Sequence, residues 1–599
     1  MKGPPAPLPP HPTVNAALAA AAGHASGVTF VDLREREERF SWGEVRRRAL
    51  LAAAALAGMG VRPGDRVAIV LRTEPAFLDA FLGALLAGAV PVPLYPPVRL
   101  GRMEEYLATT ARMLAVSGAR IVVAGGAIRR LLGEAVASAR PALGCHDAAA
   151  LLAADPVAGP GRTPSPMDLA LVQFSSGSTV DPKPVALTHA SLMAQAGALM
   201  AIARPTPADC LVSWLPLYHD MGLIGCVLGA LSYPGPLVLI PPEHFLARPA
   251  LWLRAIARHR GTISAAPHFA YAYAEKRVRD EDLHGLDLAS WRIAMDGAEP
   301  VTAPSLARFA VRFARAGFDP GALMPVYGLS EAALAVTAAP PGRPIRTERV
   351  DPRRLAACGE VVPGGREVVS VGAPVPGVEV EIRGEGGAPL PERRLGRIHV
   401  RGPSVMQGYL GDPEATARVL RDGWLDTGDL GFAVGGELFV HGRAKDVVIV
   451  RGANHAPEEF EACLEGIPGL RAGCAVALGV TPEGGDGEEL LVLAERARGR
   501  PALTPALSRG EREAGLQEAV RRAILERTGV RAHAVRILAP GTLPRTSSGK
   551  MRRGEALRRF LEGSLAPPRP AGGLSLARAL ARSALAFGRL RRRAGPEGA

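Results

Sequence analysis

Residues 41–60 read SWGEVRRRALLAAAALAGMG, followed by DRVAIVL at 65–71 and AFLDAFLGALLAGAVPVPL at 76–94. The first segment repeats its apolar residues at helical spacing and ends at Gly60. The second is a short apolar run bounded by turn residues, as a buried strand is. The third reads as a helix followed by a strand. The same rhythm returns around ARIVVAGG, DLALVQFSS, PLVLIPP and TISAAP. Strands alternating with helices predict an α/β fold with a largely parallel sheet.

Working outward, the texture changes near Val378, where VEVEIRG, GRIHVRGPSV and GELFVHGR predict a small β-rich subdomain of alternating strands and glycine turns. From Arg443 a last α/β unit contains KDVVIVRG, APEEFEACLEGI, GCAVALGV and LQEAVRRAILERTG. The expected architecture is a large N-terminal domain (1–442), made of α/β subdomains plus the β-rich one. A small mobile C-terminal α/β domain (443–563) follows, then a proline-rich linker and basic tail (564–599). Residues 496–515 lack periodicity and read as a surface insertion. In the tail, Leu576, Leu580, Phe587 and Leu590 share one helical face and Arg578, Arg582, Arg589 and Arg593 the other. That pattern makes the tail a candidate for peripheral membrane contact.

The 599 residues exceed one compact core. Six cysteines without a CxxC pair argue against a zinc site or a disulfide framework and fit a reducing, cytoplasmic setting. No apolar run is long enough to span a bilayer, and the proline-rich start does not read as a secretory signal. The net charge is +13, yet seven arginines against one acid in residues 564–599 account for a surplus of six. The remainder is spread thinly, without a nucleic-acid signature.

Only five of the 71 basic residues are lysine: Lys2, Lys183, Lys276, Lys445 and Lys550. Arginine's planar fork cannot imitate a compact ammonium on a flexible stem, so the surviving lysines point to sites that need one. Lys183 closes FSSGSTVDPK (174–183), a loop after the apolar strand LALVQF. Its serines, threonine, glycine and lysine offer N–H groups, hydroxyls and a cation, as phosphate oxygens require. It is not a Walker A loop, since GxxxxGK followed by Ser or Thr is absent. Further stretches follow in order: SWLPLYHDMGLIG (213–225), MDGAEPV (295–301), PVYGLSEAAL (325–334), DGWLDTGDLGF (422–432), HGRAKDVVIVRGANHAPEEFE (441–461) and LPRTSSGK (543–550).

In this order the stretches resemble the motifs of the adenylate-forming superfamily, which holds acyl- and aryl-CoA synthetases, peptide-synthetase adenylation domains and luciferases. VPVPLYPPVRLGR, AAPHFAYAYAEKR and LDLASWRIAMDGAEPV look like its fatty acyl-AMP ligases. So does the long segment between Glu331 and Gly372, with RVDPRRLAACGEVV inside it, which resembles a ligase-specific insertion thought to restrict the domain movement needed for CoA use. The resemblance implies activation of a fatty acid by ATP and Mg²⁺ to an acyl-adenylate, then transfer to an acyl carrier protein acting in trans. Free CoA as acceptor, in a long-chain acyl-CoA synthetase, is the alternative. A catalytically degenerate nucleotide- or carrier-binding protein is another.

It also implies roles. Ser175, Ser176, Gly177, Ser178, Thr179 and Lys183 would hold the β- and γ-phosphates. Gly297, Ala298 and Glu299 would line the adenine site, with Tyr327, Gly328 and Ser330 nearby. Glu331 would ligate Mg²⁺, Asp429 would accept from the ribose hydroxyls, and Arg443 would contact ribose or phosphate. His219 would shape the carboxylate or pantetheine end, Lys445 would be the hinge, and Lys550 would bridge acyl carboxylate and α-phosphate during transfer. The acyl pocket is expected near Trp214, His219, Phe269 and Tyr271. Where the family loop carries glycine, this chain has Val180 and Pro184, which stiffen it.

Overall fold

The computed structural model describes residues 1–97, 102–153, 163–175, 182–450, 453–481, 488–497, 509–546, 550–568 and 573–594. The opening stretch folds as its pattern predicts. Trp42–Gly58 is a helix whose N-cap, Ser41, accepts from the Glu44 N–H, and Arg66–Val70 is a buried strand. Pro75–Leu86 is a helix begun by proline at its first turn, and Val90–Pro93 is a strand beside Arg66–Val70.

Two mostly parallel sheets form the large N-terminal domain. In the smaller, Val90–Pro93, Arg66–Val70, Ala119–Ala124 and Cys145–Asp147 lie parallel in that order. The larger has nine strands. Its parallel centre runs Leu323–Gly328, Ile293–Gly297, Ile263–Pro267, Leu211–Ser213, Leu237–Leu239 and Gly27–Val31. Helices cover both layers, which is why these strands are apolar on both faces rather than alternating. Leu169–Phe174, grouped by rhythm with the parallel strands, instead pairs antiparallel with Pro184–Thr188, which in turn pairs with Gly408–Tyr409. The β-rich subdomain is a five-stranded sheet built on Glu379–Arg383, Gly396–Arg401, Trp424–Val434 and Glu437–Arg443.

A small C-terminal domain follows. Its sheet is Leu470–Val480, Glu489–Arg496 and Ala534–Leu538, packed by helices Pro457–Ala462 and Arg509–Thr528 around Phe460, Val520 and Ile524. The helix starts at Arg509, so the end of the expected 496–515 surface insertion is helical. Between Glu331 and Gly372, strands Thr347–Val350 and Arg366–Val369 form a hairpin around the helix Pro352–Cys358. The hairpin reaches the small domain through the ion pair of Arg366 with Glu459, a buried carboxylate that also accepts from His455.

The tail is helical over Gly573–Ala594, as its pattern predicts, but its apolar face does not point to solvent. Leu576, Leu580, Phe587 and Leu590 pack on the core of the smaller parallel sheet, beside Leu131, Leu132 and Ala135. Ala579 and Ser583 are buried, and the Ser583 hydroxyl accepts from the Gly133 N–H at 2.7 Å, at the start of the helix Gly133–Ala139. Arg582 reaches Glu104 and Glu134. The surface that peripheral membrane contact would use is therefore spent inside the protein, which corrects that reading. Among the described residues no helix is long and apolar enough to cross a membrane.

Ser583→Arg forces a long cation against the Gly133 backbone, where the native side chain has 0 % exposure. Overpacking of this kind costs about 1–3 kcal/mol. Amide hydrogen exchange across residues 576–590 should rise at least roughly ten-fold while the Ile293–Gly297 strand stays protected. Unchanged exchange in the tail would contradict the docking described.

Candidate active site

The carboxyl ends of the parallel strands in the nine-stranded sheet open into a cavity of about 520 Å³. Ligands in open α/β sheets characteristically bind at such strand ends. Ile293–Gly297 ends at Ala298, whose φ of +65° lies in the left-handed region that non-glycine residues rarely adopt. The chain turns sharply there, and Ala298 lines the cavity while Gly297 sits behind it, where a Cβ would meet Val326 at 2.7 Å. Glu299 is half-buried and accepts from the Phe269 N–H at 2.9 Å. The next strand, Leu323–Gly328, carries Tyr327 and Gly328 to the same mouth. Only glycine fits at 328, because a Cβ would fall 1.8 Å from the Leu334 carbonyl oxygen.

Ser330 and Glu331 follow on a single 3₁₀ turn. The Tyr409 hydroxyl donates to Glu331 at 3.0 Å, and burial pushes that carboxyl up from its ordinary value. Tyr409 also lies under the Lys183 ammonium, 4.5 Å from its ring centre. This tyrosine was not anticipated. Nothing local marks it, since its place follows from Gly408–Tyr409 pairing with Val185–Ala186 just beyond the phosphate loop.

At the base of that loop, the Ser175 N–H donates to the Lys183 carbonyl at 2.9 Å, and both residues line the cavity. Ser176, Gly177, Ser178, Thr179 and Val180 lie outside the described residues. Pro184 is not part of the loop. It is the first residue of a strand and stays buried there, a position where its missing N–H is tolerated.

Asp220, quoted in the sequence motif but given no role, is the buried hub of the opposite wall. Its carboxylate accepts from the Ser330 hydroxyl, pairs with His219 Nδ1 at 2.5 Å, and accepts from the Met221 N–H at 2.7 Å. Burial alone would push this carboxyl up. His219, Ser330 and the Lys550 ammonium outweigh burial and hold it well below the usual range.

Asp429 is likewise buried, accepting from the Tyr327 hydroxyl at 2.7 Å and paired with Arg443 Nε at 3.3 Å. Burial raises its pKa against the opposing pull of Arg443, Tyr327 and Lys550. Arg443 leads into the turn Ala444–Asp446, where Lys445 is exposed yet lines the cavity. Lys550 comes from the small domain. Its N–H donates to the Thr546 hydroxyl at 3.0 Å, and its side chain reaches the cavity wall. Withdrawal from water lowers its pKa, while Asp220, Glu299 and Asp429 pull it back up.

The mouth thus gathers Lys183, Arg443, Lys445 and Lys550 opposite Asp220 and Glu331. Away from it, the cavity continues as an apolar arm between the helix His189–Ala203, the segment Met221–Ser232, and the face of strands carrying Ala265, Met295 and Val326. Of the residues expected to form the acyl pocket, only His219 lines the cavity, and it does so at the polar mouth. Trp214 is stacked on Phe245 with ring centres 3.9 Å apart, and Trp214, Phe269 and Tyr271 belong to one aromatic core cluster. Their spacing near the motif was a packing signal, not a pocket signal. Among the described residues, no cluster of three or more His, Cys, Asp or Glu side chains is placed to hold a metal.

A family model described as AMP-binding enzyme matches residues 18–410, more than half of the chain. The chain is 37 % identical to a putative acyl-CoA synthetase of Caulobacter vibrioides, covering 92 % of this chain and 96 % of that protein. It is 35 % identical to the long-chain-fatty-acid–AMP ligase FadD26 of Mycobacterium marinum, covering 87 % and 91 % respectively. A solved chain from structural and functional studies of fatty acyl-adenylate ligases from E. coli and L. pneumophila superposes with a TM-score of 0.85 at 35 % identity, covering 92 % of this chain and 98 % of that one. With the family matched over most of its length and with these relatives, the chain belongs to the AMP-binding enzymes and is an adenylate-forming ligase.

Proposed function

We propose that this protein activates a fatty acid with ATP, releasing pyrophosphate, and passes the acyl group to the phosphopantetheine thiol of an acyl carrier protein. The observation that carries the reading is one cavity joining a cation-lined mouth to an apolar arm. The mouth suits a triphosphate and a carboxylate, and the arm suits a hydrocarbon chain. The division of the chain at 442/443, with Lys445 as hinge, belongs to the same proposal, since Lys550 then reaches the site from a separate body. The six free cysteines accord with a cytoplasmic setting.

In the first step an oxygen of the fatty carboxylate forms a bond to the α-phosphorus, and the bond from that phosphorus to the pyrophosphate oxygen breaks. No side chain acts as nucleophile, so catalysis is positioning and charge neutralisation. Lys550 would neutralise the approaching carboxylate and α-phosphate, with Asp220 and Glu299 as its counter-charges before substrate arrives. Lys183 and Arg443 would hold phosphate oxygens. Asp429, fixed by Tyr327, would accept from the ribose hydroxyls. Glu331 would hold Mg²⁺, a hard cation satisfied by one or two carboxylates plus substrate phosphates, and the metal would supply further charge neutralisation. In the second step the carrier's sulfur bonds to the acyl carbon and AMP leaves.

The name of the Caulobacter relative favours a second reading with CoA as acceptor. Against it stands the hairpin 347–369, which ties the N-terminal domain to the small domain through Arg366 and Glu459. Supplying CoA or a pantetheinylated carrier to preformed acyl-AMP separates the two.

Lys550→Ala should lower fatty-acid-dependent acyl-AMP formation by roughly 10²–10³-fold, the scale of a lost charge stabiliser. In the native protein, kcat/KM should fall as pH rises through a lysine pKa lying below the ordinary value of about 10.4. That alkaline limb should vanish in the variant; a limb unchanged by Lys550→Ala would contradict the role assigned.

Asp220 gives a prediction of stability. Its folded pKa is depressed, so the ionised carboxylate stabilises the fold at neutral pH. That contribution persists above the unfolded value of about 3.9 and is lost as pH falls through the folded value. Asp220→Asn should destabilise at pH 7 by about 1–3 kcal/mol in denaturant titrations, and the difference should shrink in acid. A constant difference across pH would contradict it.

A further inference from the structure

The apolar arm is bounded on one side by a helix of unusual pitch. Met221–Leu228 is a π-helix that passes into the α-turn Gly229–Ser232. Met221, Gly225, Cys226, Gly229, Ala230 and Tyr233 all line the cavity, whereas Leu223, Ile224, Leu228 and Leu231 are buried in the core behind them. π-Helical turns recur at functional sites, and here the widened turn keeps the small residues on one face. Met221 adjoins His219 and Asp220 at the polar mouth, and Tyr233 lies at the far end, so the face runs the length of the arm.

The two glycines on that face differ. At Gly225 a Cβ would come within 3.0 Å of Leu334, so packing explains the glycine. At Gly229 a Cβ would meet nothing within 4 Å. Its backbone, with φ −56° and ψ −53°, is ordinary helix that any L-residue adopts. Neither close approach nor backbone conformation calls for glycine at 229, and glycine there costs helix stability. What it leaves is volume in the arm, on the order of 10 Å beyond Met221 at helical rise. We infer that Gly229 sets the length of acyl chain the arm accepts: its missing side chain admits the distal part of a long chain, and a larger residue would close the arm part-way. This rests on the fatty-acid reading above.

The test compares Gly229→Leu and Gly229→Ala with the native full-length protein. Circular dichroism first establishes that the variants fold. Acid-dependent pyrophosphate release is then measured with hexanoate and with hexadecanoate, and binding of the same two acids is measured by calorimetry without ATP. The kcat/KM ratio for hexadecanoate over hexanoate should fall at least roughly ten-fold in Gly229→Leu, and less in Gly229→Ala, as steric exclusion in an apolar pocket allows. An unchanged ratio, or an equal loss for both acids, overturns the inference. If the native protein releases no pyrophosphate but binds hexadecanoate, and Gly229→Leu abolishes that binding while hexanoate still binds, the gauge stands and the activation reading falls. If neither acid binds nor turns over, both fall.

Discussion

The site depends on keeping one ammonium, that of Lys550, in a half-buried place where carboxylates take over part of the compensation that water gives a free lysine. The cost of withdrawing it appears as its lowered pKa, and the offset appears as the three carboxylates that pull back, Asp220, Glu299 and Asp429. Those acids come from three separate motifs, and the ammonium comes from the small domain. The cation and its three counter-charges thus belong to different parts of the chain and meet only in the folded protein. Arginine would deliver charge but not a compact, rotatable point donor. In a chain that uses arginine almost everywhere else, that is a physical reason for lysine at this position.

Around that constraint the two carboxylate walls are built differently. Asp220 is saturated by His219, Ser330 and the Met221 N–H and is held ionised, so it acts as a fixed negative pole. Among the described residues, Glu331 has the Tyr409 hydroxyl alone as a side-chain donor, and it is pushed the other way by burial. A carboxylate left under-compensated in this way is suited to gain a cation, whereas Asp220 has no need of one. The same cavity then changes from charged to apolar along the face of the sheet, so that opposite environments lie within one continuous space.

Much of this was legible in the sequence. Apolar runs of strand length and segments with apolar residues at helical spacing point to the α/β alternation, because local periodicity and burial agree there, as at Trp42–Gly58 and Arg66–Val70. The ordered motifs led to Tyr327, Glu331, Asp429, Arg443 and Lys550, which the fold gathers around one mouth and its immediate backing. Three features were not legible. Tyr409 enters the site through pairing with a strand more than two hundred residues away. Trp214, Phe269 and Tyr271 lie beside a motif and so suggest a pocket, yet aromatic bulk near a site is as readily spent on packing. The tail's amphipathicity was real, but periodicity shows only that a face will be buried, not against what. Its partner is the protein's own helix Gly133–Ala139.

The central claim is that fatty carboxylate attacks the α-phosphorus and expels pyrophosphate. Acid-dependent exchange of labelled pyrophosphate into ATP tests it most directly, because it reads reversal of that one step without any acyl acceptor. The account predicts label entering ATP only when a fatty acid is present, with AMP rather than ADP as the nucleotide product once a thiol is supplied. No exchange with any fatty acid, or ADP and inorganic phosphate as products, would contradict it.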